Sequence, residues 1–490
     1  MDAVLNVFRT INTCLSDYVL VILLVGVGLF FTIKTRFVQV RCFGEGMKQV
    51  FGGVFSKKNK KGNGISSFQA LATAVAAQVG TGNIVGASAA ILIGGPGAIF
   101  WMWVIAFFGM ATNYAEAVLA QKTRKVEGDQ IFGGPVYYIK RAFRGTFGKI
   151  LAFIFAVTAV LALGFMGLMV QSNSIVESFS TAFGISSDFL WVIGLVLVAL
   201  CALIFFGGVK RLASVTEKLV PFMAIAFLLC GLVILCIRIE YIPQTFGMIF
   251  KYAFVPGALI GGGTGAALKK AVSYGAKRGL FSNEAGMGST PHAHAMADVE
   301  HPHQQGVSAM IGVFVDTFLV LTMTALVLIS TLYCEGGLLY GLSGNDYLIA
   351  TGAKGVISNT NAMQQAVSSV FGDMAGGIFV AVCLFFFAFS TIICWNFFGK
   401  LNAQYLFKNK KIFIIIYSSI SIAFVFMGTV LSNDLVWELT DFFNNLMVLP
   451  NAVALVALSR LVVDESKEAR KRKKKLKEEK QKEKSNLSKN

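Results

Sequence analysis

Long apolar runs recur along almost the whole chain, and each is about as long as a membrane-crossing helix. A helix of about 20 residues spans roughly 30 Å of hydrocarbon. The pattern predicts eleven such segments, at residues 18–34, 65–92, 97–121, 148–178, 188–207, 213–237, 258–299 (interrupted), 304–331, 373–400, 411–431 and 436–460. We therefore expect an all-α, polytopic membrane protein.

Composition strengthens this prediction. Of 490 residues, 55% are hydrophobic and only 14% are charged, and the mean hydropathy is +0.68. A soluble protein of this length needs a larger charged share to cover its surface. The zinc-protease, nucleophile-elbow and P-loop motifs (HExxH, GxSxG and GxxxxGK[ST]) are absent from the sequence, so neither an enzyme nor an ATP-driven pump is expected.

The basic residues, which give a net charge of +17, concentrate in alternate links between the apolar segments. Cytoplasmic links carry the excess of Lys and Arg in membrane proteins. The pattern therefore predicts a cell-membrane protein with its N-terminus outside and its C-terminus in the cytoplasm, and nucleic acid is not an expected partner. The link after the first segment is the richest, with Lys34, Arg36, Arg41, Lys48, Lys57, Lys58, Lys60 and Lys61.

Three features fit this scheme less simply. The cations Lys269, Lys270, Lys277 and Arg278 fall on the predicted outer side, before the interruption of the seventh segment. The tail 467–490 reads either as a helix with i,i+4 pairs or as a disordered basic segment that attracts anionic lipid. The eight cysteines lie mostly in apolar segments without a CxxC motif, as small buried hydrophobes do.

Four histidines cluster near the end of the seventh segment, at His292, His294, His301 and His303. His-x-His can bind a metal ion, but the sequence places no cysteine or third well-spaced histidine beside it. A gating or pH-sensing role and a plain solvated link both stay open.

Two apolar segments carry a glycine-rich interruption with polar neighbours. The second contains Gly80-Thr81-Gly82-Asn83, and the seventh contains Phe281-Ser282-Asn283-Glu284-Ala285-Gly286-Met287-Gly288-Ser289. Each glycine costs a helix interior about 1 kcal/mol relative to Ala, so both stretches favour unwinding. Close helix packing is the alternative reading of either motif taken alone.

The two interruptions open matching blocks of five segments. Interrupted segments at corresponding positions of two halves indicate the binding site of a secondary transporter. Unwinding frees N–H groups, which suit a carboxylate, and C=O groups, which suit a small cation or an ammonium group. We predict four regions: an extra helix and basic link at 1–64, five-helix repeats at 65–237 and 238–460, and a charged tail at 461–490.

These two motifs, together with the Gly-Gly-Pro-Gly link at 94–97, resemble the signatures of the alanine/glycine:cation symporters. The resemblance covers about residues 18 to 460. It implies a leucine-transporter-type 5+5 inverted repeat preceded by one extra helix, alternating access around a midplane site, and symport with Na⁺ or, less often, H⁺. No enzymatic cofactor is implied.

The resemblance also implies site residues. Gly80, Thr81, Gly82 and Asn83 would hold the substrate carboxylate, and Phe281, Ser282 and Asn283 would face them and receive the ammonium group. Gln171 would hydrogen-bond the substrate, and Trp395 would wall its side-chain pocket. For Na⁺, the implied ligands are carbonyls near Ala77 and Gly80 with the hydroxyls of Ser390 and Thr391.

Each of these residues has a structural alternative. Gln171 could form an interhelical hydrogen bond, Trp395 could be core or an interfacial anchor, and Ser390 and Thr391 could bond back to their own helix. The run Cys394-Trp395-Asn396-Phe397-Phe398-Gly399 departs from the small-Trp-Ser-Tyr-Tyr-Gly pattern common in the family. The substrate therefore stays open between alanine or glycine and glutamine. A proton-coupled symporter and a channel remain alternatives, although no repeated filter loop supports a channel.

Overall fold

The computed structural model describes residues 2–54, 64–128, 130–206, 208–260, 264–351 and 356–487. Four lysines of the first basic link (Lys57, Lys58, Lys60 and Lys61) and residues 488–490 of the predicted tail lie outside the described residues. The described chain is almost entirely helical, as its hydropathy pattern predicts.

The first half of the chain contains twelve helices among the described residues. They are α1 Asp2–Cys14, α2 Val21–Lys34, α3 Val38–Arg41, α4 Phe43–Val54, α5 Ser67–Gln78, α6 Ala87–Gly94, α7 Ala98–Thr123, α8 Pro135–Ala142, α9 Gly145–Leu161, α10 Gly167–Phe183, α11 Leu190–Phe205 and α12 Gly208–Ile237. A hairpin of β1 Lys125–Glu127 and β2 Gln130–Phe132 follows α7, with Val126 opposite Ile131.

The second half contains twelve more within the described ranges. They are α13 Ile242–Phe254, α14 Gly257–Ile260, α15 Thr264–Asn283, α16 Pro291–Ala295, α17 Pro302–Val313, α18 Thr322–Leu328, α19 Gly344–Thr351, α20 Ala362–Phe371, α21 Asp373–Leu406, α22 Lys411–Gly428, α23 Asn433–Ala457 and α24 Ser459–Leu487. Wider π-type turns join or extend helices at Leu15–Leu20, Gly82–Gly86, Ala162–Met166, Phe314–Leu321 and Ile329–Tyr333, and 3₁₀ turns lie at Ser187–Phe189 and Ile239–Tyr241.

Eight continuous helices in the described part of the chain are long and apolar enough to cross a membrane. They are Asn6–Lys34, Ala98–Thr123, Gly145–Phe183, Gly208–Ile237, Pro302–Tyr333, Asp373–Leu406, Lys411–Gly428 and Asn433–Ala457. The bent pair Ser67–Gln78 and Gly82–Gly94 makes a ninth span if it is counted as one, and Leu190–Phe205 is a shorter apolar helix. The total of eleven stays a prediction.

Helix α21 lies at the centre of the bundle and packs on α10, α5, α9 and α12. A second set packs around α7, which contacts α17, α15 and α2. Small and apolar side chains, with Ala106, Ala111 and Ala115 on α7, let these helices approach closely. By contrast, α12 exposes Phe222, Ile225, Leu229 and Leu232 at helical spacing, which is typical of a face turned to lipid.

Two of the four cations that fitted the charge pattern poorly have partners on α23. Lys277 Nζ lies 2.7 Å from an oxygen of Asp441, and Arg278 lies 3.3 Å from the same carboxylate. The guanidinium of Arg278 also stacks 4.3 Å from the ring centre of Trp437. Opposite charge and an aromatic face therefore stabilise both cations within the bundle.

The histidine stretch is not a solvated link, and that interpretation is wrong for three of its four members. His292, His294 and His303 are each at most 5% exposed. His292 stacks on Phe398 and its Nε2 lies 2.9 Å from Asn402 Nδ2. Polar residues and prolines in this stretch favour a solvent-exposed link, whereas in the fold α16 packs against α7 and α5.

The C-terminal tail forms a helix, α24, and its first half is tied to the bundle by ion pairs. Glu465 is paired with Lys122 at 2.8 Å and with Arg472 at 2.7 Å. Lys473 reaches Glu45 on α4 at 2.9 Å. The start of the tail, the end of α7 and the first basic link therefore meet on one face of the protein, which we call the basic face.

Candidate functional site

The first broken helix unwinds between α5 and the wide turn that begins at Gly82. Ser66 starts α5 with a capping box that Gln69 completes. The two halves, Ser67–Gln78 and Gly82–Gly94, are bent by 48°. Asn83 Oδ1 accepts a hydrogen bond from the N–H of Gly80 at 3.0 Å, so a local side chain satisfies part of the freed backbone.

Two glycines of this break allow contacts that a Cβ atom would block. A Cβ added at Gly80 would lie 2.4 Å from Thr391 Oγ1, and one at Gly82 would lie 2.9 Å from Ser282 Cα. Real Cβ contacts are not this short, so both positions need glycine. The first break therefore touches α21 through Gly80 and the second broken helix through Gly82.

The second broken helix ends its first half at Asn283 and resumes at Pro291. Glu284, Gly286 and Gly288 adopt left-handed φ angles of 56°, 92° and 84°. Asn283 Oδ1 accepts from the N–H of Ala285 at 3.0 Å and supports the turn. This seven-residue loop is therefore a built structure with specific backbone conformations.

Asp316 joins the two broken helices through hydrogen bonds to both. Its carboxylate accepts from Asn83 Nδ2 at 2.7 Å and from Ser282 Oγ at 2.9 Å. Thr317 Oγ1 also donates to it at 2.9 Å. A further bond, from Gln78 Nε2 to the carbonyl of Asn283 at 2.8 Å, links the two breaks directly.

Sequence reasoning missed Asp316, although a signal was present. It is an acidic residue inside the apolar run predicted at 304–331, and it is fully buried. An ionisable residue at such depth indicates function. The same signal marks Glu116 in the run 97–121, which is also fully buried.

Three of the four residues predicted to hold the cation (Ala77, Ser390 and Thr391) have oxygens close together, with the Ala76 carbonyl among them, whereas the Gly80 carbonyl accepts from the N–H of Asn83 at 3.2 Å. Thr391 Oγ1 is 3.1 Å from the carbonyl oxygen of Ala76 and 3.2 Å from that of Ala77. Ser390 Oγ is 3.2 Å from the Ala76 oxygen. Both hydroxyls also bond back to Phe387 O in their own helix, at 2.8 and 3.1 Å. Two hydroxyls and two carbonyls therefore converge beside Gly80.

Gln171 lies at the first break, as its predicted role requires. Its Oε1 accepts from the N–H of Thr81 at 3.2 Å. Within the described residues, the Thr81 hydroxyl and Gln78 Oε1 are buried without a hydrogen-bond partner. Buried polar atoms without partners are uncommon in native proteins, and here both stand at the break.

Phe281 and Trp395 form an aromatic wall next to the second break. Their rings meet edge to face with centres 5.6 Å apart, and Phe281 also contacts Trp437. Trp395 Nε1 donates to Glu284 Oε1 at 2.5 Å, and Ser289 donates to the other oxygen of that carboxylate. The wall is thereby attached to the loop of the second break.

A second buried carboxylate holds the same loop from the opposite side. Glu116 Oε2 accepts from the N–H of Gly286 at 3.1 Å, and its Oε1 accepts from Asn451 Nδ2 at 2.7 Å. Asn451 also donates to the carbonyl of Gly286 at 2.9 Å, and Tyr138 donates to Asn451. Sequence reasoning did not identify this set, because its members come from four distant parts of the chain.

Among proteins of known fold, the chain resembles MhsT, whose crystal structure holds L-phenylalanine. The superposition has a TM-score of 0.59 at 14% identity and covers 83% of this chain and 93% of that one. At this identity the likeness shows the fold alone. It confirms the predicted fold class, a leucine-transporter-type helical bundle.

Several curated proteins are similar over nearly their whole length. The sodium/alanine symporter AgcS of Methanococcus maripaludis is 39% identical over 470 residues, which cover 95% of this chain and 97% of that protein. The putative sodium/proton-dependent alanine carrier YrbD of Bacillus subtilis is 40% identical, over 92% of this chain and 89% of its own. The probable sodium/glutamine symporter GlnT, also of Bacillus subtilis, is 37% identical, over 93% and 89%.

The predicted family is also tested by a profile built from its members. The profile of the sodium:alanine symporter family matches residues 1–484. This family consists of transporters, so the expectation that the protein is not an enzyme is confirmed. The match spans both broken helices and the polar groups that join them. This chain therefore belongs to the sodium:alanine symporter family.

Proposed function

We propose that this protein carries a small neutral amino acid across the cell membrane together with Na⁺, by alternating access. The observation that supports it most is the junction of the two broken helices through Asn83, Ser282 and Asp316. A side-chain amide, a hydroxyl and a carboxylate meet there in a buried region beside two helix breaks, which suits a zwitterion and a cation. The names of the relatives, which include alanine and glutamine carriers, agree with this class.

The substrate carboxylate is assigned to the first break. Gly80, Thr81, Gly82 and Asn83 lie at the start of a half-helix, whose N–H groups suit a carboxylate. The buried Thr81 hydroxyl has no hydrogen-bond partner among the residues that the structure describes. Gln171 already accepts from the Thr81 N–H, so substrate would share or replace that bond.

The substrate ammonium group is assigned to the opposite break. Phe281, Ser282 and Asn283 close the first half of that helix, where the last carbonyl oxygens have no partner within the helix. Trp395, attached to Glu284, limits the space for the substrate side chain.

Na⁺ is assigned to the oxygens beside the first break. The carbonyl groups of Ala77 and Gly80 with the hydroxyls of Ser390 and Thr391 provide four hard ligands. Asp316 adds a full negative charge between the two breaks, where it would balance a cation. The buried Glu116 and Glu284 are the specific groups that would serve coupling to H⁺ instead.

Orientation and repeat boundaries belong to the same proposal. The basic face, with the first link and the tail, is placed in the cytoplasm by the excess of Lys and Arg, and the N-terminus is placed outside. The two five-helix repeats at 65–237 and 238–460 each begin with a broken helix, and each break forms a hinge for access from one side.

The proposal is tested by uptake of labelled alanine, glycine and glutamine into proteoliposomes, with and without an inward Na⁺ gradient. We expect saturable uptake of one of the three that depends on the Na⁺ gradient. Uptake that follows a proton gradient and ignores Na⁺ would replace the coupling ion. Flux that does not saturate would indicate a channel, and no uptake under either gradient would overturn the assignment of substrate.

Asn283→Ala tests where the substrate binds. Its amide donates to Thr317 Oγ1 at 3.2 Å and accepts from Ala285 N–H, and no apolar surface is removed. We expect uptake to be abolished while membrane insertion is retained. Asn6→Ala, which removes an exposed amide on α1, is the control. Normal uptake by Asn283→Ala would move the site elsewhere.

A further inference from the structure

Three side chains with metal-binding atoms converge on the basic face, away from the two breaks. Cys42 follows α3, Glu45 lies in the first turn of α4, and His303 is the second residue of α17. Their sulfur, carboxylate oxygen and imidazole nitrogen atoms all lie within 4.8 Å of one another. Cys42 and His303 are 261 positions apart in the chain, so their proximity is not apparent from the sequence.

The cluster is largely shielded from solvent. Cys42 is 2% exposed and His303 is 5% exposed, while Glu45 is partly accessible. A buried thiol, a buried imidazole and a partly exposed carboxylate therefore offer three ligand atoms, one of them accessible from solvent. Three protein ligands leave the fourth position of a tetrahedral ion to water.

The hydrogen bonds of His303 prepare it to bind a metal ion. Its Nδ1 lies 2.7 Å from the hydroxyl of Tyr114, which is fully buried on α7. Its Nε2 lies 3.1 Å from Glu45 Oε1. When Nε2 binds an ion, the single ring proton of the neutral imidazole stands on Nδ1 and is donated to the Tyr114 oxygen. A ligating histidine that is fixed through its other nitrogen in this way is typical of metal sites.

Glu45 is shared between this cluster and the C-terminal tail. One of its oxygens faces His303, and the other pairs with Lys473 of α24 at 2.9 Å. Lys473 therefore occupies the carboxylate as a competing cation.

We propose that Cys42, Glu45 and His303 form a site for a borderline-soft divalent cation such as Zn²⁺, and that the bound ion displaces Lys473 from Glu45. Thiolate, imidazole and carboxylate are the three ligand types that Zn²⁺ takes in proteins. Binding releases the thiol proton of Cys42 to solvent. It also replaces the contact between tail and link with a metal bridge between α4 and α17.

This site lies on the helix that carries Asp316. The span Pro302–Tyr333 is continuous, and His303 and Asp316 are separated along it by about 20 Å of helix. An ion that fixes the start of this span against α3 and α4 would restrict its movement relative to them. The site is thus placed to regulate transport by a divalent ion, and its existence does not depend on the proposed substrate.

The test uses the purified full-length protein and two probes, Zn²⁺ in competition with a chromophoric chelator and Co²⁺ followed by its thiolate charge-transfer absorption. Wild-type protein is expected to bind one ion per chain and to show the Co²⁺–thiolate band. Cys42→Ser is expected to abolish the band, and both Cys42→Ser and His303→Gln to weaken Zn²⁺ binding at least tenfold. Cys236→Ser, which removes an exposed thiol from α12, is the matched control and should change neither.

Two further variants test the surroundings of the site without removing a ligand. Tyr114→Phe should weaken binding by about ten- to 100-fold, the range seen when the partner of a ligating histidine is removed. Lys473→Ala should strengthen binding about two- to fivefold, because an exposed ion pair with Glu45 no longer competes. Unchanged affinity in Lys473→Ala would overturn the displacement.

If Cys42→Ser and His303→Gln failed to fold, the proposed site would still be tested by Zn²⁺ binding to the wild-type protein and to Lys473→Ala. Monodisperse elution in size-exclusion chromatography identifies the folded variants. Absence of stoichiometric binding by wild-type protein would overturn the site, and so would full binding by folded Cys42→Ser and His303→Gln. Neither result bears on amino-acid uptake, which is measured separately.

Discussion

The two broken helices share a Gly-x-Gly pattern, but their glycines serve different physical needs. In the first break neither Gly80 nor Gly82 has a left-handed backbone. Both are needed because other helices pass too close for a Cβ atom, α21 at Gly80 and α15 at Gly82. The first break is therefore defined by close packing of its neighbours.

The second break is defined by its own backbone. Gly286 and Gly288 have φ angles of 92° and 84°, which side chains rarely adopt. The loop is held on one side by Glu116 and on the other by the bond from Trp395 to Glu284. Buried carboxylates thus hold the second break in place, whereas neighbouring helices hold the first.

The two breaks differ in the chemical groups that surround them. Oxygen atoms of carbonyls and hydroxyls surround the first break, which suits a hard cation. Aromatic rings and an amide surround the second, which suits the body of a substrate. Asp316 contacts both breaks through its carboxylate, so the largest effects are expected from changing it.

Asp316→Asn is expected to reduce uptake roughly 100-fold. The carboxylate accepts three hydrogen bonds, from Asn83, Ser282 and Thr317, whereas an amide has one oxygen and turns a donor toward donors. Leaving such a buried bond unmade costs about 3 kcal/mol, and the charge that would balance a cation is lost. Gradient-driven uptake, normalised to the amount of protein in the membrane, measures the effect.

Asp434→Asn is the matched control for this change. Asp434 is an exposed acid that pairs with Arg9 at 2.7 Å, and exposed pairs contribute little. Its uptake should match that of wild type. Uptake above about half of wild type in Asp316→Asn would show that the two breaks work without a shared carboxylate.

Gly288→Ala should lower the thermal stability of the protein, and shortening a neighbouring side chain should not restore it. The left-handed conformation costs a residue with a Cβ atom about 1–2 kcal/mol, whatever space surrounds it. Phe155, whose ring lies 2.9 Å from the added Cβ, can be shortened to Leu in a second variant. In detergent, we expect the melting temperature of Gly288→Ala combined with Phe155→Leu to be no higher than that of Gly288→Ala alone.

The corresponding pair at the first break should behave in the opposite way. Gly80→Ala clashes with Thr391 Oγ1 at 2.4 Å, and Thr391→Ala removes that oxygen. The double variant should recover part of the stability that Gly80→Ala loses. Recovery at both breaks, or at neither, would contradict the distinction between packing and backbone conformation.

The positions of both breaks could be predicted from sequence because unwinding is a local property. Glycines beside polar residues within an apolar run raise the cost of a continuous helix there. The apolar spans could be predicted because apolar composition is likewise a local property of the sequence. Short helices such as α13, α19 and α20 could not be predicted in this way, because segments of 13 residues or fewer are too short to span a membrane.

The partners of the breaks could not be predicted because they come from distant parts of the chain. Asp316 is 233 positions from Asn83, and Glu116 is 170 positions from Gly286. Burial alone marked these acids as unusual, and only the fold shows which groups they meet. The burial of His292 and His294 was missed for the same reason, because helix packing decides it.

Ser390→Ala combined with Thr391→Ala should affect the cation more than the substrate. Both hydroxyls face the Ala76 carbonyl oxygen at the first break, and losing two ligands is expected to raise the Na⁺ concentration for half-maximal uptake about tenfold, or about 1.4 kcal/mol. The substrate KM should change less than about threefold. Uptake measured across a Na⁺ series at saturating substrate gives the first value.

Thr158→Ala is the control for this pair, because the Thr158 hydroxyl bonds only to carbonyls of its own helix, at 2.9 and 3.0 Å, within the described residues. It should leave the Na⁺ dependence unchanged. An unchanged Na⁺ dependence in the double variant would place the cation elsewhere, and Asp316 would be the next candidate.

Trp437→Phe is expected to have the smallest effect and to act on the substrate alone. The Trp437 ring centre lies 4.3 Å from the Arg278 guanidinium and 4.8 Å from the centre of the Phe281 ring, which is tilted by 46°. Phenylalanine keeps a ring there but binds a cation less strongly, by about 0.5–1 kcal/mol, so Phe281 is held less firmly. The substrate KM should rise about two- to fivefold, with the Na⁺ dependence unchanged.

The exposed Trp191 provides the control, since Trp191→Phe removes an indole that is 47% accessible. Its substrate KM and Na⁺ dependence should both match wild type. If Trp437→Phe shifted the Na⁺ dependence as strongly as the KM, the two breaks would not divide cation from substrate. A shift in KM alone, set against the opposite result for Ser390→Ala with Thr391→Ala, would assign the cation to the first break and the side chain of the substrate to the second.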